Sequence, residues 1–328
     1  MPAVAGDGVY FGSCNGLFRR LDAQSGSVRW ETNVRGKAAK YFFHGDVFIA
    51  PDRIIASADV DPTAGAEAGI HAFDREPGRE LWMHPAGRGV LGAVIGSAQR
   101  VFAYTTMGEL IALNLQSGKR EWTYKLGAGG WESPAAVGRR VFGGSTDGSL
   151  YAFHSDTGRV EWQQKLGAPI STSIRGAESS VYAGTSDGTM HRVAPGTGEK
   201  LSSLKLDPAL EPSAAPLLSG RAVFVLLADR EANYRALASL DPALGRINWR
   251  RAAPDRWSTS RVFATATTVV LGTPAGEVTA YCIADGSPAW SYKLSASPIR
   301  SVGGTDDTLF VGTPQGTLYA IRPPRSCM

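Results

Sequence analysis

Short segments in which apolar and polar residues alternate recur along the whole chain. In residues 141–162 two such segments flank a turn at Asp147 and Gly148, and a third follows a turn at Gly158 and ends in Trp162. A period of two is typical of half-buried β-strands, and glycine supplies the positive φ that tight hairpins require. One such unit leaves its edge strands unpaired, so the pattern predicts a fold built from several adjacent copies.

The unit recurs at a nearly constant spacing, and its last strand usually closes on a tryptophan. The closing residues are Trp30, Trp82, Trp122, Trp162, Trp249 and Trp290. The second, third and fourth are spaced by 40 residues and the last two by 41, whereas the fifth copy has Ser202 at the position of the ring. Because each ring occupies the same place in its repeat, we interpret these tryptophans as structural residues that dock one repeat on the next.

Two insertions explain the intervals that are longer. The interval from Trp30 to Trp82 has 12 extra residues, seven of them in residues 59–69, and the interval before Trp249 has 7 extra residues, five of them in residues 227–235. A final copy in residues 309–321 ends before its closing tryptophan. The chain therefore contains eight hairpins of one kind.

A period near 40 residues with four strands per repeat is typical of the blades of a β-propeller. The repeated residues are an apolar pair, x-Gly-Ser/Thr-x-x-Gly, an alanine in the following strand, and then Ser/Thr-Gly-x-x-x-Trp. This motif resembles the PQQ-like repeat family, which includes the quinoprotein dehydrogenases and the outer-membrane assembly lipoprotein BamB. The resemblance covers essentially the whole chain and implies a bacterial, all-β, eight-bladed propeller of four-stranded antiparallel blades. Since the motif residues are structural, they carry the architecture and not the function.

We expect a single propeller domain over residues 1–328. Its blades are predicted at about 2–34, 35–87, 88–127, 128–167, 168–207, 208–253, 254–295 and 296–324. The last blade has sequence for only three strands. Either a segment upstream of this chain completes it, or its edge stays open, and an open edge binds a partner's strand or promotes aggregation.

Composition and charge narrow the classes of function. The chain has 43% hydrophobic residues and a net charge of +4 with a pI near 9.0, but its Lys and Arg residues do not cluster as they do on a nucleic-acid face. No run of 18 apolar residues predicts a membrane span, and no signal peptide is visible. The three cysteines show neither metal nor disulfide spacing.

Two tryptophans lie outside the repeat position and are candidate ligand-binding residues. Trp131 and Trp257 each precede the predicted first strand of a blade, which in propellers lines the channel, so their rings could stack on a ligand or anchor a partner. The alternative is that each ring covers its own blade. Charged residues near the same strands would make the channel mouth positive if they point inward. They are Lys37, Lys40, Arg88, Arg175, Arg256, Arg261 and Arg300, opposed by Glu132 and Glu211.

The strongest candidates at this mouth are Trp131, Glu132, Trp257, Arg256 and Arg300. The two insertions are candidate partner loops, because loops on a rigid scaffold often carry specificity. Their polar residues are Asp59, Asp61, Asp229, Arg230 and Glu231.

Candidate catalytic chemistry is sparse. The quinoprotein dehydrogenases that the repeats resemble hold PQQ with a stacking Trp, a vicinal Cys-Cys disulfide, and Glu, Asn and Asp around calcium, whereas this sequence has no Cys-Cys. No Gly-x-Ser-x-Gly elbow or His-Glu-x-x-His motif is present. His154 and His191 occupy packing positions at or beside the repeated aromatic residues. We therefore predict no catalytic, cofactor-binding or metal-binding residue, no cofactor and no enzyme activity.

The sequence favours an interaction scaffold with a role similar to that of BamB, and a protein partner. A ligand-sensing propeller from a larger receptor or kinase is the alternative, with a small-molecule ligand at the channel mouth, and a quinoprotein oxidoreductase is a remote one. The resemblance implies an extracytoplasmic location, in the periplasm or at the cell surface. The alternative is the cytoplasm, since no export signal is visible.

Overall fold

The structure is a computed structural model, and it describes most of the chain. The described residues are 2–13, 16–34, 41–43, 45–60, 67–87, 89–90, 92–127, 133–229, 231–259, 261–324 and 327. Regular structure within these ranges consists of β-strands, without a helix. Contacts group the chain into two compact units, residues 1–143 with 153–161 and residues 144–152 with 162–328. The division passes through blade 4.

The first three blades each contain one four-stranded antiparallel sheet. Blade 1 has the order β1 (Ala3–Ala5), β2 (Gly8–Gly12), β3 (Leu17–Asp22), β4 (Val28–Asn33). Blade 2 has β6 (Phe48–Ile49), β7 (Arg53–Ser57), β9 (Gly69–Asp74), β10 (Glu80–Pro85), and the separate pair β5 (Tyr41–Phe42) and β8 (Asp59–Val60). Blade 3 has β11 (Ile95–Gly96), β12 (Arg100–Tyr104), β13 (Glu109–Asn114), β14 (Arg120–Lys125).

The next three blades repeat this order. Blade 4 has β15 (Ala135–Val137), β16 (Arg140–Gly144), β17 (Ser149–His154), β18 (Val160–Lys165). Blade 5 has β19 (Arg175–Ala177), β20 (Ser180–Thr185), β21 (Thr189–Val193), β22 (Lys200–Lys205). Blade 6 has β23 (Glu211–Ser219), β24 (Ala222–Ala228), β25 (Tyr234–Leu240), β26 (Ile247–Trp257).

The last two blades differ from each other in strand number. Blade 7 has β27 (Phe263–Ala264), β28 (Thr268–Gly272), β29 (Glu277–Cys282), β30 (Pro288–Lys293). Blade 8 has only β31 (Ser301–Gly304), β32 (Leu309–Gly312) and β33 (Leu318–Ile321). The predictions of an all-β, eight-bladed propeller and of a three-stranded last blade are confirmed for the described residues.

The core lies on both faces of the middle strands. All five residues of β7 and all seven of β24 are buried, because each face of such a strand packs between adjacent sheets. The outer strands instead alternate exposed and half-buried residues, as in β14 and β22. This difference is why period-two alternation is clearest in the outer strands, while the middle strands read as continuous apolar runs.

A β-bulge recurs where the outer strand pairs with the third strand. In blade 3 the pairing shifts between Ala112 and Leu113, directly opposite Trp122, and blade 7 has the same shift between Ala280 and Tyr281. Bulges bend a strand locally and redirect its side chains. We attribute the common orientation of the closing rings to this bulge.

Blade 6 departs from the predicted boundaries. Its outer strand, β26, continues to Trp257, beyond the predicted blade end at residue 253. The insertion lengthens β25 so that Tyr234 pairs with Trp257 across the sheet. Trp257 is therefore the last residue of the outer strand of blade 6, and its side chain is buried.

The interpretation of the cysteines also needs correction. Cys282, at the end of β29, forms a disulfide with Cys327, and their Cα atoms are 5.5 Å apart. The two residues are separated by 45 positions, so local spacing gave no sign of the bond.

Candidate interaction surface

The closing tryptophans are structural, and all except Trp290 donate a specific hydrogen bond. The indole Nε1 of Trp290 is buried without an acceptor among the described residues. In the first unit the indole Nε1 of Trp122 donates to the Ser155 carbonyl oxygen at 2.9 Å, and in the second Trp249 donates to that of Ile283 at 2.9 Å. Trp30, Trp82 and Trp162 make the same kind of bond to the next blade. Ser202 replaces the ring in blade 5 and keeps the bond, because its hydroxyl donates to the Ala243 carbonyl. These side chains are therefore occupied by packing.

A lysine at the end of the outer strand is a second structural residue of the repeat. Lys165 donates from Nζ to the Asp147 carbonyl at 3.1 Å and pairs with its carboxylate at 2.9 Å. Lys125, Lys205 and Lys293 donate to the carbonyls of Met107, Asp187 and Ala275. The sequence analysis missed this role, although lysine recurs three residues after the closing position. These four charges are held on their own hairpins.

Trp257 does not provide a stacking surface. Only 2% of its area is exposed, and it packs in a cluster with Phe224, Leu226 and Val262. Burial also raises the pKa of Tyr234, its partner across the sheet. The ring is therefore buried between blades 6 and 7, and it is not available to a ligand.

The other predicted channel-mouth residues do not form one described cluster. Trp131, Glu132, Lys37, Lys40 and Arg88 lie outside the described residues. Arg175 donates to the Pro216 carbonyl at 2.9 Å, Arg261 is half-buried, and Arg300 is exposed. Burial raises the pKa of the half-buried Glu211. Arg256 is exposed and donates from Nη1 to the Asn233 side-chain oxygen at 2.8 Å, which places it beside the blade 6 insertion.

The turn of that insertion, between β24 and β25, is fixed by the side chains of Asp229, Asn233 and Arg235. Asp229 Oδ1 accepts the backbone N–H groups of Glu231 at 3.0 Å and Asn233 at 2.9 Å. Its other oxygen accepts Arg235 Nε at 2.7 Å. The bond from Arg235 and those from Asn233 lower the pKa of Asp229 to about 2, so it is charged at neutral pH. Ala232 adopts a φ of 59°, which completes the tight turn.

The loop presents charges of both signs at its surface. Glu231 is exposed at the tip, and Asp255 and Arg256 are exposed on the adjoining end of β26. Arg235 connects the two segments by donating to the Asp255 carbonyl at 3.0 Å. Arg230 is outside the described residues. The structure therefore brings Asp229, Glu231 and Arg256 together, although the sequence assigned them to two separate candidate groups.

The blade 2 insertion is only partly described. Asp59 pairs with Phe42 in the short ladder of β5 and β8 and bridges to Gly89. Asp61 lies outside the described residues. Asp59 is thus a residue of the short β5–β8 ladder.

Two histidines at or beside the repeated aromatic positions, His191 and His154, serve packing and a turn. His191 is buried, with Nε2 3.1 Å from the Thr185 hydroxyl and Nδ1 2.8 Å from the Ser203 hydroxyl. His154 Nδ1 accepts the backbone N–H of Asp156 at 3.3 Å. Among the described residues no group of three His, Cys, Asp or Glu side chains could hold a metal ion. Nor do they include a helix that could cross a membrane.

His191 makes stability depend on pH in a defined window. Its pKa is lowered to about 4, chiefly by burial and further by the charge of Lys200, against the opposite effect of Asp187. The unfolded chain, in which histidine titrates near 6.5, therefore binds the extra proton first. We expect the free energy of unfolding to fall by roughly 1–3 kcal/mol as the pH falls from about 6.5 to about 4.

Urea unfolding of the protein and of His191→Gln across this pH range measures the effect. The variant should lose less stability than the parent, because glutamine does not titrate. Carboxylates with lowered pKa values, such as Asp229, lose their contribution only at still lower pH. Identical pH profiles for the two proteins would show that His191 is not the titrating group.

Comparison with known proteins supports the architecture. The chain matches a family model described as outer membrane protein assembly factor BamB over residues 66–209 and 186–325. A search among curated protein sequences returns no match. The structure is similar to the crystal structure of BamB from Moraxella catarrhalis, with a TM-score of 0.78, 17% identity, and 98% of this chain and 96% of that chain covered.

Other solved structures share the fold. A europium-containing methanol dehydrogenase has a TM-score of 0.72 at 13% identity, with 97% of this chain and 81% of that chain covered. The computationally designed protein Ika8 has a TM-score of 0.77 at 15% identity, with 98% and 95% covered. At such identities the likeness shows the fold alone. The family-model match spans most of the sequence. The chain therefore belongs to the PQQ-like propeller family, whose model is described as outer membrane protein assembly factor BamB.

Proposed function

We propose that this propeller is a non-catalytic scaffold that binds a protein partner in an extracytoplasmic compartment. The observation that carries the proposal is the blade 6 loop, which presents Glu231 and Arg256 from a segment already fixed by Asp229 and Arg235. Ordering a loop before binding reduces the entropy that association costs. Exposed charges of both signs also provide complementarity to a polar protein surface.

The repeat residues support the same proposal because their polar groups are used inside the fold. Apart from that of Trp290, the closing tryptophan N–H groups bond to strands and turns of the propeller itself, as do the lysine ammonium groups and His191. Few polar groups of the repeat motif therefore remain to take part in a reaction. The description of the matching family model names an assembly factor, and an assembly role requires contact with other proteins.

The quinone site of the dehydrogenases does not fit this chain. Their vicinal disulfide needs two adjacent cysteines, which the sequence lacks. Cys282 is instead bonded to Cys327, 45 positions away. A PQQ-dependent reaction is therefore no part of the proposal.

The disulfide supports the proposed extracytoplasmic location. Structural disulfides persist in oxidising compartments such as the periplasm and the cell exterior, and are rare in the reducing cytosol. The periplasm or the cell surface is accordingly the proposed location. Thiol labelling of protein recovered from the source organism tests this: Cys282 and Cys327 should resist alkylation before reduction.

The test of the scaffold is capture of partners by the full natural gene product from its source organism, with charge-reversed variants alongside. We expect Glu231→Arg to weaken binding of a stoichiometric partner by about tenfold, because it reverses the charge at the loop tip. Glu199→Arg makes the same change at an exposed turn of blade 5 and should bind normally. If the parent protein and both variants retain the partner equally, the blade 6 loop is not part of the interface.

A further inference from the structure

Arg20 shows how this fold holds an arginine between two blades. The residue lies in β3, directly opposite Trp30, and is buried. Its Nη1 group donates to the Glu76 carboxylate of blade 2 at 2.6 Å, and Nη2 donates to that of Asp7 in blade 1 at 2.8 Å. Hydrogen bonds between two charged groups are stronger than those between neutral groups. The guanidinium is therefore held by one carboxylate from its own blade and one from the next.

Blade 4 has a carboxylate at the same place as blade 2. The turns of residues 74–79 and 154–159 join the third and outer strands of these blades, and each is closed by a backbone bond between its first and last residues. Glu76 is the third residue of the first turn, and Asp156 is the third residue of the second. Asp156 accepts Arg100 of blade 3 at 2.6 Å. The third residue of this turn is therefore the place where an arginine of the preceding blade meets an acid.

Blade 5 keeps the arginine. Arg192 lies in β21 directly between Tyr182 and Ser202, in the register that Arg20 has in blade 1. The Tyr182 hydroxyl donates to a backbone carbonyl of the blade 6 turn, residues 241–246, at 2.7 Å, and the Ser202 hydroxyl donates to another. Residues directly opposite each other in a sheet point to the same face. Since both neighbours of Arg192 in this row bond to the turn, Arg192 lies on the face that packs against it.

The acids that hold the arginine of blade 1 are absent in blades 5 and 6. Ser179 and Ala243 occupy their places, and both are exposed. The carboxylate of Asp241 accepts backbone N–H groups of the turn itself. Among the described residues Arg192 makes a single side-chain hydrogen bond, from Nε to the Ser180 hydroxyl at 2.7 Å. The half-buried guanidinium is thus oriented by this bond, and its Nη groups have no carboxylate.

A second arginine lies at this turn by the same repeat relation. Arg139, in the turn between β15 and β16, donates to the Asp156 carboxylate at 3.1 Å. Arg221 has the equivalent place between β23 and β24, and it is exposed without an ion pair to a described carboxylate. The residue of blade 6 that corresponds to Asp156 is Ala243. Two arginine positions thus remain around a turn that lacks the acid.

We infer that Arg192 and Arg221 bind a carboxylate of a protein partner, an Asp or Glu side chain that takes the place of the missing acid beside Ala243. The inference rests on the proposed scaffold function and names a second contact for it, at the opposite end of β25 from the loop of residues 229–235. A free carboxylate gains little from an exposed arginine. A docked partner presents its side chain at high effective concentration, and arginine is frequent among residues that dominate interface energies.

The first test of this site places the acid within the chain. Ala243→Glu restores the carboxylate of the equivalent turns, and we expect it to raise the melting temperature by about 1–3 °C. Ala243→Gln has the same size without the charge and should give no rise. The rise should disappear when Ala243→Glu is combined with Arg192→Gln, because the cycle isolates the pair. No rise, or a rise that persists without Arg192, overturns the inference.

The second test measures binding of an acidic probe. A labelled peptide, Gly-Asp-Glu-Asp-Glu-Gly, is titrated into the full natural protein by fluorescence anisotropy. We expect saturable binding that Arg192→Gln and Arg221→Gln each weaken by about tenfold and that Ala243→Glu abolishes. The same peptide with Asn and Gln in place of its acids should not bind. Arg159→Gln removes an exposed arginine from the turn of blade 4 and should leave binding unchanged.

The outcomes separate this site from general charge attraction and from the scaffold itself. Peptide binding that survives Arg192→Gln, or that falls equally with Arg159→Gln, overturns the inference. A natural partner that is lost by Glu231→Arg but retained by Arg192→Gln keeps the scaffold and rejects this site. Peptide binding that depends on Arg192, in the absence of any captured partner, keeps the carboxylate site and removes the scaffold.

Discussion

Trp122→Ala is expected to lower the free energy of unfolding by about 3–5 kcal/mol. The ring lies between Phe102 and Phe153, at centroid distances of 5.8 and 6.1 Å, and its Nε1 donates to the Ser155 carbonyl. Truncation removes the aromatic contacts and leaves a partly buried carbonyl oxygen without its donor. Urea unfolding measures the loss as a lower midpoint with an unchanged dependence on denaturant.

Two glycines provide a control for the docking contact. Gly158 and Gly26 occupy equivalent turns with φ values of 67° and 70°. A Cβ at Gly158 would lie 2.6 Å from the Trp122 ring, whereas none of the described atoms is within 4 Å of one at Gly26. Both alanine variants carry the same backbone strain, so Gly158→Ala should be less stable than Gly26→Ala by about 1–3 kcal/mol. Equal losses, or a Trp122→Ala loss below about 1 kcal/mol, would contradict docking by the ring.

Removal of the Cys282–Cys327 disulfide is expected to cost roughly 2–4 kcal/mol. The bond closes a loop that contains blade 8 and restricts the unfolded chain. Cys282→Ser and Cys327→Ser should each lower the melting temperature, and the double variant should be no less stable than the weaker single one, because both changes break the same bond.

Chemical reduction gives the matching control for the disulfide. Reductant should lower the melting temperature of the parent protein to that of the double variant and leave the double variant unchanged. Additive losses from the two substitutions, or a parent protein insensitive to reduction, would show that the two cysteines do not act as a pair.

The architecture could be predicted because its signals are local. Apart from the two insertions, the turn glycines and closing tryptophans recur at a nearly constant spacing, so a period near 40 residues is visible without any knowledge of contacts. Even the exception is regular, since Ser202 keeps the hydrogen bond of the ring that it replaces. The three strands of blade 8 were also visible, because the sequence after Ile321 carries no turn and no closing strand.

The candidate site was less predictable, because its features depend on contacts that the repeat does not encode. Trp257 was predicted to precede the first strand of blade 7, but β26 extends to this residue and the ring is buried among residues of blades 6 and 7. The disulfide joins residues 45 positions apart, and no spacing rule connects them. Arg256 lies beside the blade 6 loop because its side chain donates a hydrogen bond to the Asn233 side chain across the hairpin. Sequence alone placed these residues in separate groups.

The central claim is that this propeller acts by binding a protein and not by chemistry. Cross-linking of the full natural protein in its source organism, followed by mass spectrometry of the captured complex, tests it most directly. We expect a stoichiometric protein partner whose cross-links include the blade 6 segment around residues 229–235. Absence of any such partner, combined with PQQ- and calcium-dependent dye reduction by the same protein, would contradict it.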